Sequence, residues 1–242
     1  MQTPALVLTN SLAPGAVENL TTYARMAEER GFRSVFVSEA GSDALAVAQQ
    51  LASVTSRIQV GTCITNVYLR PPLLAALHAM TIDRFAPGRL LLGLGTSSEA
   101  LNKLYGIEMR KPAAVLRQYV QSLTSALRGE HETLSQMKKM GMIVPQAAHQ
   151  VPVYIGTASQ KCLEVTGELA DGCFTSQCAP HGLQEVKEHL ARGAQRTGRA
   201  ISALYGHQVH HASRRTQDNF RLQSTICGRK PAKIALVRNR NR

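Results

Sequence analysis

Residues 27–62 read AEERGFRSVFVSEAGSDALAVAQQLASVTSRIQVGT, and this stretch decides the fold class. It opens on the end of an amphipathic helix. Val17, Leu20, Ala24 and Ala27 recur at helical spacing, and Gly31 follows where a helix terminus favours glycine. Ser34 to Val37 is a short apolar run of the strand type. Asp43 stands where a carboxylate can accept the free N–H groups of a helix start. The helix then runs to about Thr55 with Leu45, Ala48, Leu51 and Ala52 on one face. Ile58 to Thr62 is a further strand. Strand, helix and strand in this succession describe a parallel βαβ unit, because parallel neighbours need a crossover that returns the chain.

The same rhythm extends in both directions. Ala5 to Leu8 is the first strand. Pro71 and Pro72 open a helix in which Leu73, Leu74, Leu77 and Met80 cluster, and Pro87-Gly88 stops it. Leu90 to Leu92 runs into Gly93-Leu94-Gly95 as the fourth strand, followed by a helix from about Ala113 to Leu127. Residues 129–150 are polar and read as an irregular excursion. Val153 to Ile155, helix 159–170, strand 173–175 and helix 182–196 complete six units, and Leu204 to Val209 offers a seventh strand. A doubly wound open sheet satisfies the same pattern. The 242 residues favour a barrel, which typically takes about 250. The expected fold is α/β, (β/α)8 and TIM-barrel-like, incomplete at its C-terminal end. Residues 1–198 read as the barrel domain and 199–242 as a divergent tail, in which Ile234 to Val237 is the only strand-like stretch.

Charge separates the same two regions. The net charge is +12, yet residues 199–242 hold ten of the 28 Lys and Arg and a single acid, Asp218. Phe220 is the only aromatic after Tyr205, so the interleaving that single-strand binding uses is missing, and nucleic acid is disfavoured as a partner. No apolar run approaches the length of a membrane span, and the first residues lack a secretory pattern, so a cytoplasmic location is expected. The five cysteines, Cys63, Cys162, Cys173, Cys178 and Cys227, show no zinc-ligand spacing and read as buried free thiols. His207, His210 and His211 lack an accompanying carboxylate pattern, so no metal site is expected. There is no G-x-S-x-G elbow and no Walker A motif.

In a barrel, functional groups belong at the C-terminal ends of the strands. Glu39 ends the second strand, as acid, base or acceptor, or as a solvent-facing carboxylate on the approach to a helix. Cys63, Ile64, Thr65 and Asn66 follow the third strand, and Thr96 and Ser97 the fourth. Gly93-Leu94-Gly95 has Ser98 where a dinucleotide fingerprint wants its third glycine, and fits better as a floor beneath a flat ring. Gly156-Thr157-Ala158-Ser159 leads into a helix. It is a candidate phosphate cradle, or an ordinary cap by Thr157 or Ser159. His78, inside a helix, reads as a packing residue.

Residues 27–62 resemble the luciferase-like monooxygenase family, and so do NVYLRPPLLAALHAMTIDRFAPGRLLLGLGTS (66–97) and PVYIGTASQKCLEVTGELADGCF (152–174). SEAGSDA after the second strand is similar to the branch that uses the deazaflavin coenzyme F420; FMN-dependent relatives share most other features. The resemblance implies a cofactor ring at the C-terminal mouth and a cis peptide at Cys63-Ile64 behind it. It further implies Thr65, Asn66, Thr96 and Ser97 beside the cofactor, its phosphate on Gly156, Thr157 and Ala158, and Glu39 near the ring. Ala40 stands where some deazaflavin relatives carry His, which argues against the sugar-phosphate dehydrogenase type. The implied function is an oxidoreductase using reduced flavin or deazaflavin, FMN or coenzyme F420, for oxygen insertion or hydride transfer on a small organic substrate. A homodimer is the implied assembly. The alternative is a catalytically inactive or degenerate flavin-binding barrel, since the family's final elements are not recognisable after about residue 200.

Overall fold

The computed structural model of the protein describes residues 5–8, 16–176, 180–199 and 203–207. Eight strands are interleaved with eight helices among them. The strands are β1 (Ala5–Leu8), β2 (Ser34–Val37), β3 (Gln59–Thr62), β4 (Thr65–Asn66), β5 (Leu90–Gly95), β6 (Val153–Gly156), β7 (Gly172–Ser176) and β8 (Ala203–His207). The helices are α1 (Ala16–Glu29), α2 (Ala44–Val54), α3 (Pro72–Phe85), α4 (Glu99–Leu104), α5 (Pro112–Leu127), α6 (Glu132–Lys139), α7 (Gln160–Leu169) and α8 (Pro180–Thr197). Every strand pairing is parallel, in the order β1-β2-β3-β5-β6-β7-β8, with β4 paired to β5 beyond the end of β3.

Both faces of the sheet are covered, which is why β2 and β5 read as unbroken apolar runs, SVFV and LLLGLG, buried throughout. Val35, Val37, Val60, Leu90, Leu92, Leu94, Val153 and Ile155 pack outward against the helix faces. The alternate positions build a second, smaller cluster: Phe36, Leu91, Tyr154 and Phe174, with Ala5, Val7, Cys63 and Ile64 against it. Phe36 on β2 meets Phe174 on β7 edge to face, their centroids 5.0 Å apart. Strands separated by β3, β5 and β6 touch only if the sheet is rolled around this inner cluster. The fold is therefore of the TIM-barrel-like α/β kind, with β1 and β8 as the two sheet edges among the described residues. Ile234 to Val237 lies outside the described residues, as do residues 208 and 209 of the expected seventh strand.

The roll is interrupted at one place. Gly61 stands opposite Leu91 and Thr65 opposite Leu94, so four steps of one strand face three of its neighbour. The extra residue lies in Thr62-Cys63-Ile64, where the Cys63-Ile64 peptide is cis. The Thr62 hydroxyl closes the gap in the ladder, donating to the Gly93 carbonyl (2.7 Å) and accepting the Gly93 N–H (3.0 Å). A Cβ on Gly93 would lie 1.8 Å from the Thr62 carbonyl oxygen, so this close approach requires glycine.

Two carboxylates tie the connections to this frame. Glu28, near the end of α1, accepts the N–H groups of Ser56, Arg57 and Ile58 at 2.9, 2.6 and 2.9 Å. Burial opposes its charge, but these donors outweigh it and hold its pKa below the ordinary value. Buried Asp83 accepts from Gly88 and His149, both at 2.9 Å, anchoring the return from the 129–150 excursion. That excursion, read from sequence as irregular, contains α6. Its only buried residue is Leu134, with Met137 packed partly on the core one turn later, too short an apolar face to mark a helix among polar neighbours, and His131 caps its start by accepting the Thr133 N–H. The short α4 also escaped the periodicity, for the same reason: its single buried residue is Asn102.

Helices α7 and α8 approach closely because each presents a glycine to the other. A Cβ on Gly167 would lie 2.1 Å from the Leu190 carbonyl oxygen, and one on Gly193 would lie 1.9 Å from that of Glu164. Ion pairs fasten the same contact: Arg196 reaches Glu164 and Glu168 (both 2.7 Å), and Arg117 of α5 pairs with Glu168. Gly193→Ala is expected to lower the urea midpoint, costing about 1–3 kcal/mol by forcing the helices apart. Gly182→Ala in the same helix, where an added Cβ meets nothing within 4 Å, should leave the midpoint unchanged or raised.

Candidate functional site

Parallel strands place all their C-terminal ends on one rim, and every site residue expected from the sequence lies there. Glu39 sits half-buried just past β2 and accepts the backbone N–H of Asn66 at 2.5 Å. Cys63 and Ile64 form the bulge between β3 and β4; Thr65 and Asn66 are β4 itself. Thr96 and Ser97 follow β5, Ser97 with a left-handed φ of 58°. Gly156 ends β6, and Thr157 and Ala158 lead into α7.

The bulge and the glycines make a shelf. A Cβ on Gly95 would come within 2.9 Å of the Ile64 side chain, and one on Gly156 within 2.4 Å. The two glycines thus open the space that Ile64 fills at the ends of β5 and β6. Cys63 beside it stays a neutral thiol, because burial pushes its pKa up to about 12. Thr65 stands opposite Leu94, and its hydroxyl is buried with no hydrogen-bond partner.

A buried amide chain braces the rim. Asn66 donates through Nδ2 to Asn102 Oδ1 (2.7 Å), Asn102 donates to the Thr96 carbonyl (2.8 Å), and Asn66 Oδ1 accepts the Tyr68 N–H (3.1 Å). Asn102 joins the bulge side of the mouth to the segment after β5. Sequence reading missed it, and a lone Asn on a six-residue helix carries no signal that distinguishes it from a surface residue.

A second missed group is Arg70. Its guanidinium pairs with Asp43, the residue that caps α2 by accepting from Leu45 and Ala46, and donates to His78 Nδ1 at 3.2 Å. His78 Nε2 lies 3.0 Å from the Gln49 side-chain oxygen. Burial, aided by Arg70, lowers the His78 pKa, so the neutral ring accepts at Nδ1 and donates at Nε2. The packing role expected of His78 is thus a hydrogen-bonded one between α2 and α3. Burial raises the Glu39 pKa; the Asn66 N–H and Arg70 pull it back, and Asp43 adds to the rise. The Tyr119 hydroxyl of α5 is buried, has no hydrogen-bond partner, and feels both Arg70 and Glu39.

The start of α7 differs from its neighbours. Side chains of Asp43, Ser98 and His131 cap α2, α4 and α6, while α3 and α5 begin on proline, which has no N–H to satisfy. At α7, Ser159 makes no capping bond through its side chain. Thr157 accepts only the Ser159 N–H, at 3.1 Å. Ser159 thus does not supply the ordinary cap. Among the described residues there is no group of three His, Cys, Asp or Glu able to hold a metal, and no helix long and apolar enough to cross a membrane. Cys162 and Cys173 are buried and in no disulfide, whereas Cys63 is partly exposed. Cys178, Cys227, His210 and His211 lie outside the described residues.

The family model for luciferase-like monooxygenases matches residues 3–229. The 5,10-methylenetetrahydromethanopterin reductase of Methanolobus tindarius is 29% identical over 187 residues, covering 76% of this chain and 57% of that protein. A putative coenzyme F420-dependent oxidoreductase of Mycobacterium tuberculosis is 30% identical over 191 residues, covering 71% of this chain and 55% of that protein. The chain thus spans just over half the length of these relatives. In structure it is similar to the coenzyme F420-dependent tetrahydromethanopterin reductase of Methanopyrus kandleri, with a TM-score of 0.67 and 21% identity over 85% of this chain and 65% of that one.

The raised Glu39 pKa has a consequence for stability. A carboxyl whose folded value lies above its ordinary 4.5 contributes fully below that value, and the contribution is lost as pH rises through the folded value. Glu39→Gln, which keeps an acceptor for the Asn66 N–H, should therefore raise the urea midpoint at pH 8. The gain should vanish below pH 4.5, where the wild-type carboxyl is protonated in both states.

Proposed function

The chain belongs to the luciferase-like monooxygenase family, and from that premise we propose that it is an oxidoreductase using coenzyme F420 to move a hydride to or from a carbon of a small organic substrate. The observation that carries this reading is the Ile64 shelf: an apolar side chain filling the space over Gly95 and Gly156, with a half-buried carboxyl, Glu39, on the same rim. A flat ring resting on that shelf would have one face protected and the other open toward the substrate.

When bound, the deazaflavin supplies the hydride-accepting carbon, and the protein supplies orientation and electrostatics. The uncapped start of α7, with Gly156, Thr157 and Ala158, suits the cofactor's phosphate: backbone N–H donors and the positive end of the helix face one point. Cys63 and Ile64 would exclude water from beneath the ring, and the neutral thiol would bring no charge there. Thr65 and Asn66 lie at its edge, with Thr96 and Ser97 on the neighbouring strand. Glu39 would hydrogen-bond the ring or share its proton; burial brings its pKa upward, toward the range where such sharing is effective. The named F420 enzymes among the relatives favour the deazaflavin over FMN, and so hydride transfer over oxygen insertion. A small-molecule substrate and a homodimer are part of the same reading.

Size exclusion of the purified chain with each cofactor, read by absorbance, tests it. Coenzyme F420 is expected to travel with the protein peak. Gly156→Ala, which forces Ile64 off the shelf, should reduce that retention at least tenfold, while Ser98→Ala should not. Retention of FMN alone would replace hydride transfer by oxygen insertion. Retention of neither by a compact protein would remove the enzyme reading.

A further inference from the structure

The loop leaving β2 and the segment leaving β4 run side by side and are joined at two rungs. The first is the Asn66 N–H on the Glu39 carboxylate; the second is the Arg70 guanidinium on the Asp43 carboxylate. Both rungs join residues 27 apart in sequence. Arg70 and Asp43 each lie four residues beyond the first pair, and the Arg70 cation acts on the Glu39 carboxyl through space. Arg70 has little freedom to leave. Its side chain is 13% exposed, it is held by Asp43 on one side and His78 on the other, and His78 is steadied by Gln49. Asp43 is fixed in turn by capping α2.

We propose that Arg70 is a positioning residue for Glu39: a countercation built into the wall of the mouth that sets the charge Glu39 presents and locks the two rim loops together. This rests on the reading that Glu39 faces the cofactor, and it adds what governs that carboxyl. The groups acting on Glu39 are the N–H donors of Asn66 and Ala44, the Arg70 cation, the Asp43 anion and, from α5, the Tyr119 hydroxyl. His78 reaches this group through its contact with Arg70, and burial lowers its pKa.

The signs make the idea testable apart from any structural role. Loss of Arg70 removes an attraction and leaves Asp43 unneutralised, and both changes favour the protonated form of Glu39. Asp43→Asn removes the anion, keeps Arg70, and retains a good helix cap, since Asn caps as well as Asp. It should favour the ionised form. A merely loosened mouth would hydrate Glu39 and draw both variants toward the ordinary 4.5.

The experiment is a carbon-13 NMR titration of the Glu39 carboxyl in the full chain without cofactor, the resonance being identified by its absence in Glu39→Gln. Arg70→Met should raise the midpoint by about one pH unit, Arg70→Lys should leave it near wild type, and Asp43→Asn should lower it. A midpoint that falls or stays put in Arg70→Met, or variants that move in the same direction, overturns the proposal. Should Arg70→Met fail to fold, Arg70→Gln takes its place: a raised midpoint supports the proposal and an unchanged or lowered one defeats it. Because no cofactor enters the titration, its outcome is independent of whether coenzyme F420 binds.

Discussion

One extra residue between β3 and β4 governs the rest of this structure. A strand that kept its step with β5 would continue the alternation of inward and outward side chains to its end. Four residues against three shift that alternation by one. Thr65 then stands opposite Leu94 of the outer layer, Ile64 comes to rest over Gly95 and Gly156, and the Asn66 N–H reaches Glu39. The shift is possible because the Thr62 hydroxyl takes the place of the missing ladder partner, and because Gly93 carries no Cβ to meet the Thr62 carbonyl.

Stability and chemistry pull apart at the rim. The outer layer is a closed apolar core, and its connections end on satisfied carboxylates such as Glu28 and Asp83. At the mouth, by contrast, Glu39 is buried further than a carboxylate favours, and the Thr65 and Tyr119 hydroxyls are buried without partners. Groups of this kind weaken a fold unless something binds them. Glu39 and Thr65 are among the residues proposed to meet the cofactor, and the Arg70–Asp43 ion pair and the Asn66–Asn102 amide chain lie beside them.

Much of this was readable from sequence where a local rule sufficed. The apolar runs located β1 and β2 to the residue, and Asp43, followed by an amphipathic stretch, marked the start of α2. The positions of Glu39, Thr96 and Gly156 followed from counting strand ends. Periodicity failed for α4 and α6, each of which buries a single side chain. It also gave no hint of Arg70 or Asn102. An arginine after a strand and an asparagine on a short helix look like solvent-facing residues until the neighbouring loop is known.

The sequence by itself determined the kind of fold and the edge of it that matters. Alternating apolar strands and amphipathic helices admit few arrangements, and parallel strands bring their C-terminal ends to one side. Tertiary structure alone decided which groups meet there. The contacts Glu39–Asn66, Asp43–Arg70 and Asn66–Asn102 each join residues 27 to 36 positions apart. Their existence depends on the register of one bulged strand against its neighbours, and register is a property of the paired sheet that no single segment carries.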